Sequence, residues 1–406
     1  MKKIVTLLLC LSGTIALAQE RLSLAPCPPM GWMSWNLYAD NIDEALIRRI
    51  ADAMVDGGYR DAGYTYIFID DGWQGGRDKR NNIIPDPAKF PSGMKALADY
   101  VHAKGLKLGI YSDAAQLTCA GYTASYGFEA QDARTFAAWG IDYLKYDYCG
   151  APADADEAAS RYRTMARALT RSGREIPLGI CEWGRLHPEL WAADSGGSLF
   201  RTSGDVRDMW KDVIGRGGMG ILDIINVSAP LLPYAAKGCW LDMDMLVVGL
   251  FGGGTASSYL GGSGCTLDEY RSQMALWCMM GSPLAMTHDL LNETPQTREI
   301  LLNGELIAIN QDALGAPAVR VICTDHYQVF LRQLSGGDYA LAILACGDES
   351  VSIKLDFSDL GLSGRFSVRD LWAHSCISRS ASRVKAMLPA HATAVYRLSA
   401  SGNNAR

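Results

Sequence analysis

The sequence offers little with which to hold a metal ion, a nucleotide or a nucleic acid. Its six histidines are scattered without ligand-like pairing and no Cys-x-x-Cys occurs, so neither a metal site nor a metal cofactor is expected. No phosphate-binding loop motif is present. The formal net charge is −6 and Lys and Arg form no cluster, which argues against nucleic acid as a partner. Eleven cysteines in 406 residues are too sparse for a disulfide scaffold. No internal repeat or low-complexity segment stands out. Past the extreme N-terminus no apolar run is long enough for a membrane span.

What is present begins with that N-terminus. Lys2-Lys3, an apolar run from Ile4 to Ala18 and the A-x-A pattern Ala16-Leu17-Ala18 read as an export signal. Cleavage after Ala18 would leave 406 − 18 = 388 residues, destined for the periplasm or the medium. An oxidising compartment makes one or two specific disulfides the sensible expectation. The remaining length suits one large domain and one small one.

From Met30 the chain alternates strand and helix. Strand patterns fall at Met30–Asn36, Tyr66–Ile69, Leu106–Tyr111, Tyr143–Asp147, Ile176–Cys181, Leu199–Thr202, Trp240–Asp244 and Pro283–Met286. Tyr66–Ile69 is a continuous apolar run, as in parallel strands buried on both faces. Between them lie helical patterns. Asn41 is a candidate cap for a helix with Leu46, Ile47, Ile50 and Met54 on one face. Ser92 starts another, with Met94, Leu97, Ala98 and Val101 at helical spacing and Gly105 as its stop. Eight such units predict an α/β fold of the (β/α)₈ barrel type over 19–315, with a doubly wound open sheet as the alternative. The pattern then changes. Val351, Ile353, Leu355 and Phe357 alternate with polar residues, and four further short strand patterns surround them. Residues 316–406 therefore read as a C-terminal antiparallel β domain, a sandwich.

In a barrel, chemistry gathers at the C-terminal ends of the strands. Those ends carry Trp35, Asp70, Asp71, Tyr111, Lys145, Asp147, Glu182, Trp183, Arg201, Asp205 and Asp244. Carboxylates and cations bond vicinal hydroxyls and flat rings stack on sugar C–H faces, so a carbohydrate is the partner this mixture fits. Without metal or cofactor, two carboxylates must supply glycoside hydrolysis. Lys145 and Asp147 share a face of their strand, and the cation favours an ionised, nucleophilic Asp147. The acid should sit in a less polar or like-charged setting. Asp205 is the first candidate, with Asp208 and Asp244 as rivals.

The set MGWMSWN, FIDDGWQ, LGIYSDA, TCAGY, YLKYDYC, CEWG, RTSGD and NQDALG resembles glycoside hydrolase family 27, which contains α-galactosidases and α-N-acetylgalactosaminidases. The likeness spans about Pro28 to Arg397. It implies a retaining double displacement with Asp147 as nucleophile and Asp205 as acid/base, about 5–5.5 Å apart. It implies that Asp70, Asp71 and Lys145 bind the four- and six-position side of a galactose. Glu182, Trp183 and Arg201 would line the two-position, Trp35 and Tyr111 would form walls, and Asp244 would lie nearby. It also implies a Cys119–Cys149 disulfide. The bulk of Glu182-Trp183 and the Asp70-Asp71 pair favour galactose over N-acetylgalactosamine or arabinopyranose. A non-catalytic sugar-binding protein is the alternative from another class. The chain departs from the family at Trp240-Leu241-Asp242-Met243-Asp244-Met245, where Leu241 and Met243 replace an Asn and a Pro. Arg185, just past the pocket pair, is placed to alter the leaving-group side.

Overall fold

The computed structural model describes residues 24–215, 217–254 and 262–401; the expected export signal, 1–18, lies outside them. No helix among them is long and apolar enough to cross a membrane. Eight parallel strands form the first sheet: β1 (Met30–Met33), β2 (Tyr66–Phe68), β3 (Lys107–Asp113), β4 (Tyr143–Asp147), β5 (Leu178–Ile180), β6 (Leu199–Arg201), β7 (Trp240–Asp242) and β8 (Leu284–Met286). Their spatial order follows the chain from β1 to β7, with β8 returning to pair with β1. A doubly wound sheet would reverse order at a switch point; this one does not. The β7–β8 seam closes just past β7, where Leu246 bridges Met286 and its N–H donates to the Ala285 carbonyl at 2.8 Å.

The helices pack outside because one stripe of each is apolar. In α1 (Glu44–Asp56), Leu46, Ile47, Ile50 and Met54 are buried, each worth about 1.5–3 kcal/mol against exposure. Its cap is Asp43, whose carboxylate accepts from Leu46 N at 2.7 Å, and Asn41 lies two residues outside. The helices that follow are α2 (Gly93–Ala103), α3 (Glu129–Trp139), α4 (Ala155–Arg171), α5 (Ile221–Ser228), α6 (Leu267–Met280), α7 (Pro295–Leu301) and α8 (Gly304–Asn310).

The β domain starts at β9 (Val319–Cys323) and continues with β10 (Tyr327–Gln333), β11 (Tyr339–Ala345), β12 (Val351–Asp356), β13 (Phe366–Asp370), β14 (Ser375–Ala381), β15 (Arg383–Leu388) and β16 (Thr393–Ala400). Six strands make one antiparallel sheet, and β12 with β15 makes the facing pair. In β11 the alternation serves two cores. Ala340, Ala342 and Leu344 join the barrel's core, while Leu341, Ile343 and Ala345 face the sandwich interior. A strand buried on both faces must be apolar throughout, which is why Tyr339–Ala345 shows no polar alternation. The two domains therefore share one apolar seam.

Candidate active site

Strand β4 fixes the centre. It pairs with β3 so that Asp147 lies beside Asp113 and Lys145 beside Tyr111. Asp147 is buried, accepts from the Tyr111 hydroxyl at 3.0 Å and takes its own loop's Tyr148 N–H at 3.0 Å. Lys145 does not bond Asp147. Its ammonium pairs with Asp70 at 2.8 Å and lies 5.3 Å from the Tyr111 ring centre. Burial pushes the Asp147 carboxyl up to about 6; Lys145 opposes this and the nearby Asp205 adds to it. Lys145 does favour the ionised form of Asp147, as expected, but without a direct bond and too weakly to offset burial. The cation is spent on Asp70, and desolvation wins.

Asp205 departs from expectation in the other direction. It sits four residues past β6 with its side chain 37% exposed. Arg201 holds one carboxylate oxygen at 3.0 Å and Arg207 approaches the other at 3.7 Å. Burial raises its carboxyl, but the two guanidiniums and Lys145 outweigh that and hold it below the usual range. A less polar setting for the acid is therefore not what the free protein provides. The two acids nevertheless feel each other, so protons belong to the pair rather than to either member.

Arg201 is the hinge of this region. Fully buried, it reaches Asp205, Asp244 at 3.1 Å and the Cys181 sulfur at 3.7 Å. Asp244 lies past the end of β7 in a left-handed conformation, φ 71°. Its other oxygen accepts from Val206 N at 2.8 Å. With Leu241 and Met243 in place, both buried, the strand-seven loop still delivers Asp244 to Arg201. Asp244 thus ties β7 to the Asp205 loop, and Asp208 has a similar structural task. Its carboxylate takes the Tyr270 hydroxyl at 2.9 Å and Gly252 N at 2.7 Å, away from Asp147.

On the opposite side, Asp70 takes Lys145 while its backbone N–H donates to Ser34 Oγ at 3.0 Å. Asp71 accepts from Ala120 N at 2.9 Å, and burial raises its carboxyl to about 6. Ala120 follows Cys119, which is joined to Cys149, so the disulfide pins the β3 and β4 loops beside both acids. Glu182 is buried, and its Oε2 accepts from Leu186 N at 2.6 Å within its own turn. Its Oε1 is buried without a protein partner, and burial raises the carboxyl to about 7. Trp183, at φ 63°, is half-buried and stacks under Arg185, whose guanidinium lies 4.8 Å from the ring centre. Trp35 is half-buried in the short turn that follows β1.

Two residues escaped sequence reasoning. Asp113 is buried next to Asp147, accepts from Ala115 N and Cys149 N at 2.8 and 2.9 Å, and is pushed to about 9 by burial and by Asp147. Period-two spacing after Tyr111 was its signal. Arg207, two residues after Asp205, was the other.

The comparisons with known proteins agree with this geometry. A family model described as alpha galactosidase A matches residues 27–312, and one described as alpha galactosidase C-terminal beta sandwich domain matches 324–398. An alpha-galactosidase A of Cellvibrio japonicus is 43% identical over 95% of this chain and 95% of its own. A putative alpha-galactosidase/melibiase of Bacteroides fragilis superposes with a TM-score of 0.87 at 46% identity, over 92% of this chain and 79% of that one. Alpha-galactosidase I of Mortierella vinacea gives 0.85 at 35% identity, over 92% and 97%.

Proposed function

We propose, from the premise that this chain belongs to the α-galactosidase family, glycoside hydrolase family 27, that it releases terminal α-linked galactose with retained configuration. The observation that carries the proposal is the convergence of Asp147, Asp205, Lys145–Asp70 and Arg201 at one end of the barrel. Asp205 protonates the glycosidic oxygen while Asp147 attacks the anomeric carbon, and the aglycone leaves. Asp205 then takes a proton from water, which attacks the galactosyl-aspartate ester and frees Asp147. The pair's single proton leaves with the aglycone in the first half-reaction and is regained from water in the second, so the full cycle restores it.

The two carboxyls share one proton, and the reactive arrangement is the one with that proton on Asp205 and Asp147 ionised. A bound sugar favours it by excluding water from Asp205 and by giving Arg201 a hydroxyl to bond in place of the carboxylate. Lys145, Asp70 and Asp71 orient the four- and six-hydroxyls, and Trp183 limits bulk at the two-position. The first eighteen residues direct the chain out of the cytoplasm. The substrate is tested with p-nitrophenyl α-galactoside beside the α-N-acetylgalactosaminide and the β-arabinopyranoside. Turnover of the first alone is expected; preference for either other sugar overturns the pocket assignment.

A further inference from the structure

Among the described residues, the sandwich reaches the loop that carries Asp205. Between β6 and α5 lie residues 202–220, a long connection whose regular structure is a two-by-two-residue hairpin, Val213–Ile214 with Gly218–Met219. A connection of this length needs outside support to hold one carboxylate in place. Near Asp205 the support is local: Met219 N donates to the Asp205 carbonyl at 2.8 Å, and Val206 N donates to Asp244. Farther along, the support comes from other elements. Asp208 is tied to Tyr270 on α6. Trp210 is buried and lies against the His391 ring, centroids 4.7 Å apart and planes at 19°. Lys211 reaches Asp348 at 3.2 Å.

His391 belongs to the turn before β16, in the sandwich, and its own geometry is over-determined. The backbone is left-handed at φ 64°. Nδ1 lies 2.7 Å from Glu269 of α6, and Nε2 lies 3.1 Å from Asp348. The carbonyl accepts from Ser272 Oγ on the same helix. Glu269 is also the far half of the capping box that starts α6 with Thr266. The imidazole is therefore held by two carboxylates at the edges while its face is offered to Trp210. A ring fixed in this way locates the indole, and the indole locates the loop five residues from Asp205.

We propose that His391 is a positioning residue for the acid/base: the sandwich domain sets the aim of Asp205 through the His391–Trp210 stack. This rests on the reading of Asp205 as acid/base. The competing account is that the stack serves domain docking alone, and the two differ in what they do to protonation of the leaving group. His391→Gly and His391→Asn suit the test, because both residues accept the left-handed backbone. The kcat/KM of each is measured on 2,4-dinitrophenyl α-galactoside, whose leaving group needs no proton, and on an α-1,6-galactosyl disaccharide, whose leaving group does. The expected result is a loss of roughly 10- to 100-fold on the disaccharide, with about threefold or less on the dinitrophenyl substrate. Trp210→Leu should reproduce this pattern, and Trp210→Phe, which keeps an aromatic face, should restore it toward wild type. Asp205→Asn is the control. If it also shows selective loss on the disaccharide while the His391 variants lose nothing, or lose equally on both substrates, the positioning role is overturned and the acid/base reading stands. If Asp205→Asn loses equally on both, the acid/base reading itself fails.

Discussion

Asp147 and Asp205 are held in opposite ways. Asp147 ends a strand paired on both sides, so the hydrogen-bond ladder sets its position and burial sets its charge. Asp205 stands beyond its strand, partly exposed, with two arginines beside its carboxylate and the Met219 N–H holding its carbonyl. A nucleophile that must attack one carbon gains from rigidity. A group that hands a proton to the aglycone and then takes one from water must remain accessible. The contrast also separates what composition can reveal from what it cannot, because a strand's period places side chains and a loop's does not.

The harshest way to break the comparison is to remove the rigid partner. Asp147→Asn should lower kcat by roughly 10⁴-fold or more on every substrate, because no galactosyl ester can form. Activity within tenfold of wild type would refute its role. Asp205→Asn should cost about 10²- to 10⁴-fold on sugar leaving groups, with accumulation of the glycosyl-enzyme on activated ones, visible as a burst of released phenol. A subtler change targets the arginines. The pair loses its shared proton near pH 6, so kcat/KM should fall as pH rises past about 6. Arg207→Gln removes a cation that holds Asp205 low, so the alkaline limb should move to higher pH. An unmoved limb would separate Arg207 from the pair.

The smallest expected effect is on stability. Asp71, Glu182 and Asp113 are raised to about 6, 7 and 9, against about 4 for unfolded carboxylates. A raised group binds its proton more tightly in the folded state. Its stabilisation is complete below about pH 4 and is lost as pH rises through the folded value. Melting temperature should therefore be higher at pH 5 than at pH 9, and the reverse order would contradict these burial-driven shifts.

The barrel was legible because its strands are short apolar runs that end in acids. β5 to β8 are shorter than their patterns, three residues each: β6 and β7 stop short where strand-like composition runs on into the loops, β8 begins after Pro283, and β5 is trimmed at both ends. In the sandwich, the sequence pattern does not announce β9, β14 or β15. The seven residues of Ser375–Ala381 bury no face, and β14 and β9 are the two edges of the six-stranded sheet. Edge strands have no apolar face to announce them. Asp147, Lys145 and Asp70 were legible as strand ends. That Lys145 would pair with Asp70, and that Arg207 would hold Asp205, depends on contacts between elements that spacing along one strand does not encode.

The most direct test of the account is proton NMR of the first galactose anomer released from p-nitrophenyl α-galactoside, recorded before mutarotation. Double displacement through Asp147 predicts α-galactose as the first product. β-Galactose would mean a single inverting displacement, and Asp147 would not be a nucleophile.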